Sequence, residues 1–270
     1  MAVTDITLTS GMRANLISLQ GTVELLNRTQ ERLATGKKVN SPLDNATNYF
    51  VAKSHLDRAS DLAVRKDGMS EAIQTVKAAN EGIEAIQQLI ENAKGLAHSA
   101  YSAGTTGAST LAAQFDEILD QIDNIVSDSI YKGTNLLDAD DLTIVFNESG
   151  TSEMTITGFS ANTTGLSIAS AAGNWSTTTN IDDAIADLDA ALDVLRSNAA
   201  ALSAGMNVIT TRESFTESMV NVLSEGADAL TAADTNEEGA NMLMLQVRQA
   251  LGTTALSLSA QAAQSVLRLF

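Results

Sequence analysis

The sequence predicts a mainly α-helical protein: a long antiparallel coiled-coil helical rod with one small β-hairpin, plus a two-helix coiled-coil domain made from the chain's two ends. Three observations carry this. Apolar residues step by four and three over long stretches in both halves, the spacing of helices with one buried seam. The period drops to two over one short stretch near the middle. The composition is 44% hydrophobic but only 4% aromatic, with one proline in 270 residues, which suits long helices with narrow seams better than a compact aromatic core.

Met12, Leu16, Leu19, Val23, Leu26 and Leu33 keep the step, with Gln30 as its one polar member, and predict a helix of about seven turns in residues 1–33. A connector at 34–46 follows, centred on Pro42, with Gly36 as a helix C-cap and Ser41 or Asp44 starting what comes next. The rod domain then occupies 47–157. Its first helix runs to about Ala100 on a stripe of Met69, Ile73, Val76, Ile83, Ile86, Ile90 and Ala93, and its second carries Leu111, Phe115, Ile118, Ile122 and Ile125. Leu142, Ile144 and Phe146 alternate with Thr143 and Val145, and Met154 and Ile156 with Thr155 and Thr157, a hairpin pattern around the turn ESGTS.

Residues 158–180 are rich in Ser, Thr, Asn and Gly, with Trp175 the largest of their few large side chains, and read as a short, exposed, variable loop. From 181 to 230 the seam is the strongest in the chain: Ile181, Ile185, Leu188, Leu192, Leu195, Ala199, Leu202, Met206 and Ile209, continuing through Val220, Leu223, Ala227 and Leu230. A pattern this long belongs to a coiled-coil helix. A connector at 231–239 precedes a last helix, 240–270, with Met244, Val247, Leu251, Leu258 and Leu267 on its apolar face. A lone terminal helix cannot bury such a stripe, so each needs the other end of the chain or another subunit.

The charge balance excludes several functions. With 33 acidic against 16 basic side chains, a net −17, and no basic cluster, nucleic acid is a poor partner, because phosphate binding needs concentrated positive charge. The absence of cysteine removes disulfides, thiolate metal sites and a Cys nucleophile. His55 and His98 are the only histidines, and no HExxH or GxSxG pattern occurs, so no catalytic, cofactor or metal residues are assigned. The adjacent pairs Asp182-Asp183 and Glu237-Glu238 read as helix N-terminal charges. No apolar run approaches a membrane span and the N-terminus lacks a cleavable signal pattern, so membrane insertion is not expected.

Glu31 to Ala52, ERLATGKKVNSPLDNATNYFVA, closely resembles the bacterial flagellin signature between the terminal and rod domains. Arg32, Leu33, Gly36, Asn40, Ser41 and Asp44 fall on its positions, while Pro42 and Leu43 replace a common Ala-Lys. YKGTNLLD at 131–138 resembles the family's lead into its hairpin, and the stretch from Asp234 onward resembles its C-terminal helix. The resemblance implies a structural, non-enzymatic subunit of the short form that polymerises with copies of itself into the flagellar filament for swimming. It further implies partners in the export apparatus and its chaperone, the filament cap and hook-associated proteins, and an extracellular location reached without a cleaved signal. It implies recognition by a Toll-like innate immune receptor through the end of the first rod helix, made weak here because Asn92 stands where an Arg is expected and only Lys94 keeps charge. O-linked sugars are expected within 160–179. Two other readings are a hook-filament junction protein of the same family and, from a different class, a soluble coiled-coil adaptor.

Overall fold

The computed structural model describes residues 10–267, and contains five α-helices and one two-stranded sheet among them. The helices are α1 (Ser10–Thr35), α2 (Ala46–Ala100), α3 (Gly104–Asp128), α4 (Thr178–Thr231) and α5 (Thr235–Leu267); the strands are β1 (Leu142–Val145) and β2 (Glu153–Ile156). The chain divides into two compact units, one of 1–57 with 223–270 and one of 58–222.

In the contiguous unit the core follows the heptad seams. Met69, Val76, Ile83, Ile86 and Ile90 of α2 meet Leu188, Leu192, Leu195, Leu202 and Ile209 of α4, all buried in one cluster. The two helices run antiparallel: Lys66 pairs with Glu217, Lys94 with Asp189, and the Tyr101 hydroxyl donates to Asp182, so numbers rise on one as they fall on the other. Each fully buried Ile or Leu stabilises this unit by about 1.5–3 kcal/mol against exposure. In α3 the buried line is Ala108, Ala112, Phe115, Leu119, Ile122 and Val126, with Leu111, Ile118 and Ile125 flanking it half-buried. The inward face is therefore rotated slightly from the expected one, because small Ala108 and Ala112 let α3 approach more closely on that side.

A tight turn follows α3. Lys132 and Gly133 both take positive φ (50° and 85°), and Tyr131 and Thr134 exchange backbone hydrogen bonds of 3.0 Å, the geometry that two-residue turns favour. Beyond it Asn135 is buried; its amide donates to the Val126 carbonyl and its Oδ1 accepts from the Leu137 N–H. Leu137 then packs where Gly82 leaves room: a Cβ there would lie 2.6 Å from Leu137 Cδ1. β1 and β2 pair antiparallel with Leu142 opposite Ile156 and Ile144 opposite Met154, and Ile144, Phe146 and Ile156 point into the core.

Residues 158–180 are not the exposed loop their composition predicts. Ala161, Leu166, Ile168, Ala171 and Trp175 are all buried in the core cluster. The Trp175 ring sits 5.0 Å from that of Phe115 on α3. Two α3 carboxylates tie the segment down: Asp123 accepts from the N–H and hydroxyl of Thr163, and Asp116 from the Ala171 N–H. The spacing 161, 166, 168, 171, 175 has neither helical nor strand period, so its apolar members give no signal in sequence. Gly173, Asn174 and Trp175 form a left-handed turn with φ of 55°, 51° and 53°, costly for Trp and held by burial of its ring. Two smaller corrections concern helix starts. Asp182 and Asp183 lie beyond the first turn of α4, which begins at Thr178. α2 is capped by Asn45, whose Oδ1 accepts the Asn48 N–H at 3.0 Å, and not by Ser41 or Asp44.

Candidate functional site

The second unit is built on α1 and α5, which pack antiparallel: Arg32 Nη1 lies 2.8 Å from Glu238 Oε1, and Leu19 reaches Gly252. On α1 the inward residues are Met12, Leu16, Leu19, Val23, Leu26 and Leu33, buried or half-buried. At the polar position the structure corrects the expectation: Thr29 is buried and Gln30 exposed. Helix geometry offers both residues to the seam, and the shorter Thr avoids burying a primary amide that would need several partners.

On α5 the residues facing α1 are Glu238, Met242, Leu245, Gln249, Gly252, Leu256 and Ser259, a four-and-three heptad line that is buried at Glu238 and Leu245 and half-buried elsewhere. Gly252 admits α1 closely, since a Cβ there would sit 3.0 Å from Leu19 Cδ1. The residues predicted from sequence for this face lie elsewhere. Met244, Val247, Leu251 and Leu258 are 45%, 59%, 66% and 61% exposed, and Leu243 beside them 66%. They form a second heptad line of their own, turned away from α1. Leu267 ends α5, but its side chain lies outside the described residues. α5 thus has two heptad lines, of which α1 covers the less apolar one, while α1 itself leaves Ile17 and Leu25 open to solvent.

The connectors bind the ends of this unit to each other. Lys37 bridges Ala232 as a short antiparallel pair. The N–H groups of Lys38 and Val39 donate to the Thr231 carbonyl, and the Ala233 N–H donates to that of Gly36, where Gly36 takes φ +70° as helix C-terminal glycines do. Asn40 donates its side-chain amide to the Thr35 hydroxyl and the Lys37 carbonyl. Pro42 is the second residue of a turn closed by the Asp44 N–H on the Ser41 carbonyl, a position its fixed φ suits. Asp44 Oδ2 accepts from the backbone of Asn40 and Ser41 and from the Ser41 hydroxyl. The Ser41 N–H is the largest cause holding this carboxyl below its ordinary range. Glu238 lies in the first turn of α5, where the helix dipole favours a carboxylate, and its burial against Arg32 makes it a partner in the helix pair as well.

Of the residues considered as receptor-facing, Asn92 is exposed on α2, whereas Lys94 is held by Asp189 of α4. That ion pair raises the Lys94 pKa. Among the described residues no group of three or more His, Cys, Asp or Glu is placed to hold a metal, and no helix is long and apolar enough to cross a membrane.

Helices with more apolar seam than the chain itself covers are those of a protein that associates with further helices. Residues 7–141 match the model of the bacterial flagellin N-terminal helical region. The chain is 29% identical to Flagellin FljM of Caulobacter vibrioides over the whole of both chains, and 31% identical to a flagellin of Brucella melitensis over 94% of this chain and 95% of that one. A flagellin of Listeria monocytogenes is 25% identical over 94% of this chain and 96% of its own. The chain belongs to the flagellin family. It is a structural subunit that self-polymerises into the extracellular flagellar filament for swimming motility.

Proposed function

We propose that subunits join the filament chiefly through the outer seam of α5. In this reading residues 1–33 and 240–270 form the inner terminal domain, 34–46 and 231–239 lead into it, the latter being helical from Thr235 onward, and 47–157 with 181–230 form the rod, 158–180 lying between them. Met244, Val247, Leu251 and Leu258 supply the intersubunit contacts, and Met12 through Leu33 hold α5 in place. The observation that carries it is the second, solvent-facing heptad line on α5, beside a first line already used by α1. A helix with two such lines seats neighbours on both.

The chain leaves the cell through the flagellar export apparatus without a cleaved signal, carried there by a chaperone, and is placed beneath the filament cap beyond the hook-associated proteins. It works without catalysis, cofactor or metal. The similarity to flagellins across both ends is something a soluble coiled-coil adaptor would not share. The test is seeded polymerisation of the full chain beside a copy lacking 240–270, viewed by negative-stain electron microscopy. Long filaments from the full chain alone are expected. Filaments from the truncated copy would refute the role of α5, and persistent monomers of the full chain under all seeding conditions would refute polymerisation.

A further inference from the structure

The chain has 8 methionines and no cysteine, so its oxidisable sulfur is all thioether. Met1 lies outside the described residues, and the others differ sharply in their access to solvent. Met69 and Met12 are buried, at 0% and 9% exposed; Met154, Met206, Met219 and Met242 are half-buried; among the described residues Met244 alone is an exposed methionine, at 45%. The reasons are local. Met154 and Met206 pack against the core cluster of the contiguous unit, and Met242 lies on the line of α5 that faces α1. Met244 projects with Leu243, Val247, Leu251 and Leu258 from the solvent-facing side of the same helix. The most accessible of these sulfurs therefore sits on the proposed assembly surface.

We infer that Met244 is an oxidation site whose state decides whether a free subunit can be added to the filament, the oxidant being a peroxide; the inference rests on the outer seam of α5 as the assembly surface. The thioether sulfur gives an electron pair to one peroxide oxygen, an S–O bond forms as the O–O bond breaks, and the second oxygen leaves as water once the proton has crossed to it. Sulfur is oxidised by two electrons to the sulfoxide and the peroxide is reduced. No acid or base from the protein is needed, so access sets the rate. Before the step Met244 is a flexible apolar filler suited to a helix seam. After it, a strong hydrogen-bond acceptor stands among Leu243, Val247, Leu251 and Leu258, whose side chains carry no donor. In the free chain water solvates that oxygen, and the packing of α5 on α1 is untouched. Beneath a neighbouring subunit it is buried without a partner, which lowers the assembly constant about 5- to 100-fold. Subunits already in the filament have this sulfur covered and are spared. The change is reversible, because sulfoxide reductases restore the thioether.

The test treats the purified full chain with hydrogen peroxide, maps the sulfoxides by peptide mass spectrometry and follows seeded polymerisation. Met244 is expected to oxidise several-fold faster than Met154, Met206, Met219 and Met242. Chain oxidised there is expected to need a critical concentration at least about fivefold higher, restored by the two methionine sulfoxide reductases, one for each epimer. In Met244→Leu the treated and untreated critical concentrations are expected to be equal, which separates this sulfur from the other methionines. Chain oxidised at Met244 that polymerises like untreated chain, or a Met244→Leu chain as sensitive to peroxide as the wild type, would overturn the inference. Preformed filaments test the reading beneath it: if Met244 oxidises as fast there as in free chain, no subunit covers it and the outer-seam assignment itself fails.

Discussion

Truncating a leucine on each seam of α5 should have opposite consequences for monomer and filament. Leu245 is 5% exposed and faces α1, whereas Leu251 is 66% exposed and faces solvent. Leu245→Ala removes a buried side chain and costs about 2–5 kcal/mol. A two-helix pair whose inner line also contains Gln249, Gly252 and Ser259 has little stability to lose, so amide hydrogen exchange in α5 of the monomer should lose its protection. Leu251→Ala changes a solvent-facing side chain, worth within about 0.5 kcal/mol to the monomer. If a neighbouring subunit covers that side chain in the filament, about two thirds of a leucine's 1.5–3 kcal/mol burial is gained there, or roughly 1–2 kcal/mol. At 1.4 kcal/mol per tenfold, Leu251→Ala should raise the critical concentration about 5- to 30-fold while monomer exchange stays unchanged. Critical concentrations come from sedimentation of seeded reactions, and exchange from mass spectrometry. A Leu251→Ala chain that polymerises at the wild-type concentration, or one whose monomer loses α5 protection as Leu245→Ala does, would refute the two-seam assignment.

Trp175→Ala should cost about 3–5 kcal/mol by chemical denaturation, since the ring is buried against Phe115; Trp175→Phe should cost much less, because the indole N–H is buried without a hydrogen-bond partner. Equal losses for the two substitutions would count against that packing. Asp44 should titrate below an ordinary aspartate, about 4, when its carboxyl carbon is followed by NMR, the Ser41 N–H being the main cause. Its folded value is the depressed one, so its contribution to the connector turn is fully present above the ordinary value and is lost as pH falls through the lowered one. A midpoint at or above the ordinary value would contradict the turn geometry. Purified monomer should activate a Toll-like receptor reporter weakly, with Asn92 exposed and Lys94 already engaged by Asp189; strong activation would overturn that.

The long helices were legible in the sequence because nothing competes with a period repeated many times: the α4 seam from Ile181 to Ile209 is buried or half-buried at every step. The hairpin was legible for the same reason at period two. The segment around Trp175 was not, because its anchors are Asp116 and Asp123 on α3, far away in sequence. On α5 periodicity showed that a seam existed without saying which of two was inside. Met244, Val247, Leu251 and Leu258 make the more apolar line, yet the line through Leu245, Gly252 and Leu256 faces α1. Close packing by Gly252 and the Arg32–Glu238 pair decide the matter, and neither is a hydrophobic signal.

Arg32 and Glu238 are 206 residues apart in the chain, and every contact between α1 and α5 spans a comparable distance. The unit 58–222 is contiguous, so a ribosome finishes it before it finishes the partner of α1. A chain that breaks off at residue 222 therefore holds every residue of that middle unit and has no α5 at all. On the proposed assembly through the outer seam of α5, only a molecule that includes that helix carries the surface by which it is added, and a growing polymer would reject copies broken off before it without any separate inspection.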